Sequence, residues 1–86
     1  MNYITFPLNL RSARTIVEVT LSGTASDVFL VDDMNLSSFK RGGRYTYYGG
    51  HYKASPVRLS PPSGGHWTAV VVPVGGSVEA SVRTIG

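Results

Sequence analysis

Hydrophobic and polar residues alternate in short stretches along most of the chain, and turn-forming residues separate these stretches. Residues 15–21, TIVEVTL, give the clearest case: Val17, Val19 and Leu21 fall on one face, and Glu18 falls on the other. Successive side chains of a β-strand point to opposite faces, so an alternation of period two is typical of a strand with one buried face. This segment is therefore predicted to be a β-strand.

The same pattern predicts several other strands. They fall at residues 2–6, 27–31, 44–48, 51–54, 57–59, 66–73 and 77–85. The segment DVFLV at 27–31 is apolar on both faces, which is typical of a central strand. Pro7 is expected to end the first strand near a sheet edge, because proline has no N–H to give to a ladder.

Turn signals separate these strands at short intervals. Residues 32–39, DDMNLSSF, are expected to form a single helical turn or a wide loop. The four Gly-Gly pairs are all expected at turns. No helical period persists over ten residues or more, so we predict an all-β domain over residues 1–86. Its expected fold is an antiparallel, jelly-roll-like sandwich or barrel of about seven short strands. The predicted core contains Val17, Val19, Leu30, Trp67, Val70, Val72, Val78 and Val82.

Composition limits the classes of protein to which the chain can belong. The hydrophobic fraction of 42% and charged fraction of 15% are those of a globular chain. The absence of cysteine excludes disulfides, thiolate zinc sites and cysteine nucleophiles. A chain of 86 residues has a thin core, which a homo-oligomer or a partner domain would help to complete. With no long apolar run and no signal-peptide pattern, a cytoplasmic protein without a membrane partner is expected.

One segment differs from the rest in its chemistry. Residues 40–56, KRGGRYTYYGGHYKASP, hold four of the five tyrosines and no acidic residue. We call this the basic aromatic segment, and it is predicted to fold as a hairpin that turns at residues 49–50. Tyr45 and Tyr47 would then share a face, and Tyr48 would lie opposite. The candidate ligand-binding residues are Arg41, Arg44, Tyr45, Tyr47, Tyr48, His51, Tyr52 and Lys53.

A row of aromatic rings flanked by cations suits the recognition of planar, anionic molecules. Aromatic rings stack on planar groups, and the cations neutralise phosphate. The alternative is that these tyrosines are half-buried strand residues whose hydroxyl groups reach water, with the charges serving only for solvation. Trp67, which precedes a run of valines, is expected in the core.

Signatures of catalysis and of cofactor binding are weak. Neither a Walker lysine-serine pattern nor a GxGxxG turn between a strand and a helix occurs. His51 and His66 are the two imidazoles, and few carboxylates are available to complete a metal site. No motif marks a serine as a nucleophile. We therefore expect no enzymatic activity, no metal and no cofactor.

Several segments resemble one bacterial family. These are YYGGHYKASPVRL at 47–59, the proline-glycine corner after it, GGHW at 64–67 and the closing VEASVRTIG. They resemble the small family catalogued as domain of unknown function 1883. The resemblance implies a β-rich, jelly-roll-like sandwich that occurs alone or beside TIR domains, and a sensing or docking role in signalling or defence. The family has no established catalytic residues, so the resemblance assigns none.

Our first hypothesis is a non-enzymatic recognition domain that binds a small anionic or nucleotide-like ligand through the basic aromatic segment. The alternative is a protein-protein interaction or assembly module. Single-stranded nucleic acid is a weaker third candidate, because a net charge of +3 is small for such a footprint. The first hypothesis predicts a concave pocket beside Tyr47 and Arg44, whereas the second predicts a flat, exposed apolar patch.

Overall fold

Two antiparallel sheets form the body of the molecule, and a computed structural model describes residues 2–86 of it. One sheet has the strand order β1-β6-β3-β4 and the other the order β5-β2-β7. The all-β sandwich of seven strands is thus confirmed. The elements are β1 (Ile4–Leu10), β2 (Ile16–Gly23), β3 (Ser26–Val31), α1 (Asp33–Lys40), β4 (Tyr48–Tyr52), β5 (Val57–Leu59), β6 (Gly65–Pro73) and β7 (Val78–Ile85).

The main core lies between the two sheets. Each strand contributes alternate residues to it, as the period of two requires. Trp67 is 7% exposed, and its indole Nε1 donates to the carbonyl oxygen of Ser63 at 3.0 Å, so its polar atom is satisfied. The buried members of this core are Leu10, Val17, Val19, Val28, Leu30, Val57, Leu59, Trp67, Ala69 and Val71.

A second, smaller core lies on the opposite face of the four-stranded sheet, which we call the helix-covered face. Its buried members are Phe29, Val31, Phe39 and Val70. This second core explains why β3 is apolar on both sides. The strand lies between β6 and β4, and each of its faces packs against a separate core. The prediction that β3 is central is confirmed.

The helix α1 occupies the segment for which a single turn or a wide loop was expected, and that expectation was wrong. The Asp32 carboxylate caps its start by accepting from the backbone N–H of Asn35 at 2.8 Å. Phe39 anchors it to the helix-covered face. The helix ends where Gly42 adopts a positive φ of 77°, a conformation that favours glycine after a helix. Cap and anchor together sustain eight residues, slightly more than two turns.

Two further expectations need correction. β1 does not end at Pro7 but continues through it to Leu10. β1 is an edge strand, as predicted, and an edge strand tolerates proline because the missing N–H can face away from the ladder. In the predicted core, Val72, Val78 and Val82 are only half-buried.

The burial of these valines follows from their position. Val78 and Val82 face the main core from β7, which is an edge strand and leaves one side of each valine uncovered. Val72 packs against the rim of the second core. The other five predicted core residues are buried. Within the described residues, none of the helical structure is long and apolar enough to cross a membrane.

Candidate functional site

The basic aromatic segment is not a hairpin. Residues 44–47 form an irregular connection from α1, and β4 runs without a turn through Gly49 and Gly50. The strand partner of β4 is β3, not the following segment. A Cβ atom on Gly49 would come within 2.6 Å of the Cα of Phe29 and still closer to the carbonyl oxygen of Val28. The glycine therefore allows a close approach of two strands, a role that sequence reasoning took for a turn.

The tyrosines are divided between the two faces of the four-stranded sheet. Tyr45 and Tyr47 lie on the helix-covered face, with ring centroids 5.5 Å apart. Their rings lie 5.7 and 5.5 Å from the ring of Phe29. Tyr48 lies on the opposite side, where its ring makes an edge contact with Trp67 at 5.8 Å. The predicted division of these three tyrosines is confirmed, although residues 44–47 are not a strand.

Neighbouring aromatic rings hold Tyr45 in place. The ring of Phe39 on α1 meets it edge-on at 5.2 Å, and Phe39 also contacts Phe29 at 5.5 Å and Tyr3 at 5.1 Å. Partial burial raises the pKa of the Tyr45 hydroxyl, and nearby Tyr47 and Asp27 raise it further. Tyr47 is 50% exposed, so one of the two tyrosines is a fixed wall and the other remains accessible.

A shallow pocket of about 130 Å³ opens beside these rings. Its lining combines aromatic side chains, a glycine backbone and one carboxylate. The lining residues are Asp27, Phe29, Tyr45, Tyr47 and Gly50. Aromatic walls with a single polar group are typical of sites that hold the flat part of a small ligand.

Asp27 supplies the charge within this pocket. It lies directly opposite His51 across β3 and β4, and its carboxylate Oδ1 lies 2.9 Å from His51 Nδ1. A carboxylate only accepts, so Nδ1 donates and the imidazole Nε2 is left for another partner. The sequence did not identify Asp27 and Phe29 as site residues, because β4 was expected to pair with the segment that follows it. In the structure β4 pairs with β3, which carries both residues.

The remaining predicted site residues do not line the pocket. Arg41, Arg44 and Lys53 are exposed, and none of them forms an ion pair with the described residues. Arg41 makes one long contact, from Nη2 to the hydroxyl of Ser38 at 3.5 Å. Tyr52 faces the main core with Tyr48. The structure therefore brings together Tyr45, Tyr47 and His51 but separates Tyr48 and Tyr52 from them.

A second histidine-aspartate pair joins the helix to the sheet. His66 Nδ1 on β6 lies 2.8 Å from Asp33 Oδ1 at the first residue of α1. Both side chains are exposed. No group of three or more potential metal ligands occurs among residues 2–86. The pair lies where the helix begins and is suited to fixing α1 over the sheet.

Comparison with known proteins places this architecture in a family. Neither a curated protein nor a solved structure matches the chain. The family described as domain of unknown function (DUF1883) matches residues 1–85, which include both sheets, the helix and the pocket. The chain therefore belongs to the DUF1883 family.

Proposed function

We propose that this protein is a non-enzymatic recognition domain that binds a small nucleotide-like ligand in the pocket between Tyr45, Tyr47 and Asp27. The observation that carries the proposal is the combination of adjacent aromatic rings with a carboxylate in one pocket. The ligand would place its planar ring in the pocket and its anionic part outside. Such a domain would serve as a sensor in bacterial signalling or defence.

Stacking supplies the first part of the recognition. The exposed ring of Tyr47 is tilted by 47° from the ring of Tyr45, and Phe29 closes the floor behind them. A planar heterocycle that stacks on such a ring gains about 1–3 kcal/mol per base. Tyr45 is already held by Phe39 on α1, so the Tyr45 side chain loses little conformational entropy when the ligand enters.

Asp27 supplies the second part, and it sets the orientation of the ligand. Oδ1 is occupied by His51, but a carboxylate has further lone pairs that accept from ligand N–H groups. The same negative charge repels phosphate. The proposed ligand therefore directs ring N–H groups towards Asp27 and its phosphate away from that carboxylate, where exposed cations of the basic aromatic segment such as Arg44 and Lys53 would meet it.

The size of the pocket limits how much of the ligand is enclosed. A volume of about 130 Å³ is below the roughly 300–1,000 Å³ of pockets that enclose drug-sized ligands. One ring system would be enclosed, with the sugar and phosphate in water. Binding by this surface alone is expected to be weak, since only part of the ligand is desolvated.

A protein-interaction module has less support. Apart from Tyr47 and Tyr48, the exposed large hydrophobic side chains are Met34, Val74 and Ile85, which lie on α1, on the loop after β6 and on β7. An interaction face would gather such residues into one patch. The pocket beside Tyr47 is the more specific feature.

The test is an NMR titration of the ¹⁵N-labelled protein with guanosine monophosphate, uridine monophosphate, inorganic phosphate and tetramethylammonium chloride. Guanosine monophosphate should shift the amide signals of residues 45–51 most, because guanine offers a large ring and adjacent N–H donors. Phosphate alone should shift them little. The proposal fails if no nucleotide shifts these signals. It also fails if tetramethylammonium binds best, since aromatic rings beside a carboxylate also attract cations.

A further inference from the structure

The last strand, β7, leaves a long open edge on the three-stranded sheet. The ligand pocket is lined from the other sheet. β7 pairs with β2 over eight consecutive residues without a bulge, and its other side pairs with no described strand. The other edge strands are less open: Pro7 interrupts β1, a glycine pair weakens β4, and β5 is three residues long. Proline and short length are common protections against edge-to-edge pairing. β7 has neither.

A row of alternating charges runs across the outer face of this sheet and stops at the open edge. Glu18 on β2 lies opposite Arg58 on β5 and opposite Arg83 on β7. Its carboxylate accepts from Arg58 Nε at 3.0 Å and from Arg83 Nε at 2.7 Å. The two guanidinium groups cover Glu18, which is 6% exposed. The row therefore ends at Arg83, whose two terminal NH2 groups remain available to donate to a further carboxylate.

The same edge also carries an acid without a partner. Glu79 projects to the same outer face as Arg83, because the two residues are an even number of positions apart. Across the sheet it faces Ser22, and it forms no ion pair among residues 2–86. One strand edge thus presents a cation and an acid four residues apart.

We propose that two copies of this chain associate through antiparallel pairing of their β7 strands, with Ser81 opposite Ser81 of the second copy. In this register Glu79 of each copy lies opposite Arg83 of the other, on the same face. The charge row then continues across the interface as Arg58, Glu18, Arg83 and the Glu79 of the second copy. The two three-stranded sheets become one sheet of six strands.

Alternation and charge together select this register. Outer-face residues meet outer-face residues only when the sum of the paired residue numbers is even. Pairing centred on Glu79 or on Arg83 places like charges opposite each other, which is destabilising. Pairing centred on Ala80 or Val82 leaves both charges without a partner. Centring on Ser81 gives every Glu79 and every Arg83 a partner of opposite charge, so that two ion pairs form.

The inner side of β7 supports the same arrangement. Val78, Ala80 and Val82 pack against the main core but are only half-buried, and on this side of β7 no described strand is hydrogen-bonded to it. In the proposed dimer, Ala80 lies opposite Val82 of the second copy, and Val78 lies opposite Thr84. Three half-buried side chains of each copy would thereby gain cover that the isolated chain cannot provide.

Cross-linking tests the register directly, because the chain has no native cysteine. Residues directly opposite in an antiparallel pair have Cβ atoms about 4.5–5.5 Å apart, near the range of a disulfide. Ser81→Cys should form a covalent dimer under mild oxidation. Ser22→Cys is the matched control: Ser22 is an exposed serine on the neighbouring strand of the same sheet, and this variant should form no covalent dimer although its β7 strands still associate.

Charge reversal tests the ion pairs independently. Glu79 is exposed, so Glu79→Arg should fold normally by circular dichroism. It should weaken dimerisation, measured by analytical ultracentrifugation, by about tenfold or more, because two attractive pairs become repulsive together. The proposal is overturned if the wild-type chain remains monomeric at about 1 mM, a concentration at which even millimolar association is populated. It is also overturned if Ser81→Cys and Ser22→Cys cross-link equally, or if Glu79→Arg dimerises as the wild type does.

Discussion

The ring of Tyr45 lies 5.5 Å from the ring of Tyr47, and only the first of the two is fixed by the helix. Phe39 on α1 meets Tyr45 edge-on, whereas Tyr47 remains half exposed beside the pocket. The two tyrosines thus have different energetic roles. Tyr45 belongs to the second core, and Tyr47 is available for a ligand.

Replacement of Tyr47 separates binding from folding. Tyr47→Ala should lower the affinity for a nucleotide by about 1–3 kcal/mol, the usual contribution of one stacked base. Its free energy of unfolding should fall by less than about 1.5 kcal/mol, since the side chain is half exposed. Tyr48→Ala is the control, because Tyr48 has a similar exposure of 40% but lies on the other side of the sheet. Nucleotide titration and urea unfolding measure the two effects, and equal loss of affinity in both variants would argue against the pocket.

Replacement of Trp67 should have the opposite result. Trp67 fills the main core and donates a hydrogen bond to the backbone of Ser63. Trp67→Ala should therefore lower the free energy of unfolding by about 3–5 kcal/mol. A variant that unfolds at the same urea concentration as the wild type would show that the core and the binding face had been assigned the wrong way round.

Two arginines of the basic aromatic segment should matter for binding and not for folding. Arg41 and Arg44 are exposed and form no ion pair with the described residues. Replacing both with alanine should leave the Tm nearly unchanged, because an exposed charge contributes only about 0–1 kcal/mol. Nucleotide binding should weaken, and its salt dependence should become shallower, since fewer cations face the phosphate. Unfolding of the double variant would instead assign these arginines a structural role.

The adjacent glycines of β4 provide a matched pair. Gly49→Ala should destabilise the fold by about 1–3 kcal/mol or more, because the new methyl group would meet the backbone of β3. Gly50→Ala should change stability by less than about 0.5 kcal/mol, because no atom lies within 4 Å of its Cβ position. Thermal unfolding of both variants measures this difference. Equal stabilities would mean that β4 does not approach β3 as described.

Glu18 should make stability depend on pH on the acid side. Hydrogen bonds from Arg83 and then Arg58 hold the pKa of its carboxyl group below its ordinary value, in spite of burial. A lowered pKa in the folded state stabilises the protein above the unfolded value of roughly 4.3 and loses that effect as the pH falls through the folded value. Glu18→Gln should therefore be less stable than the wild type at neutral pH, and the difference should shrink in acid. Urea unfolding at several pH values measures this, and parallel profiles would contradict it.

Much of the fold follows from the alternation of hydrophobic and polar side chains, because this alternation is a property of each strand and does not depend on which strands it pairs with. It placed Val17 and Val19 inside, and it assigned β3 to the centre of a sheet. It could not identify the partner of β4, because pairing depends on contacts between distant residues. A glycine that permits close packing looks the same in sequence as one that makes a turn, so the hairpin prediction was wrong at Gly49.

The candidate site shows the same limit. Tyr45 and Tyr47 were found because their chemistry is local in the sequence. Asp27 was missed because its position depends on the register between β3 and β4, which sets it opposite His51. The helix was underestimated because its stability comes from the cap at Asp32 and from the burial of Phe39, and the second of these is a tertiary contact.

Native mass spectrometry after incubation with a small-molecule extract of bacterial cells tests the central claim most directly. The wild-type chain and Tyr48→Ala should retain a phosphorus-containing compound with a heterocyclic ring, and Tyr47→Ala should lose it. Retention of the same compound by all three proteins would contradict binding in the pocket beside Tyr47.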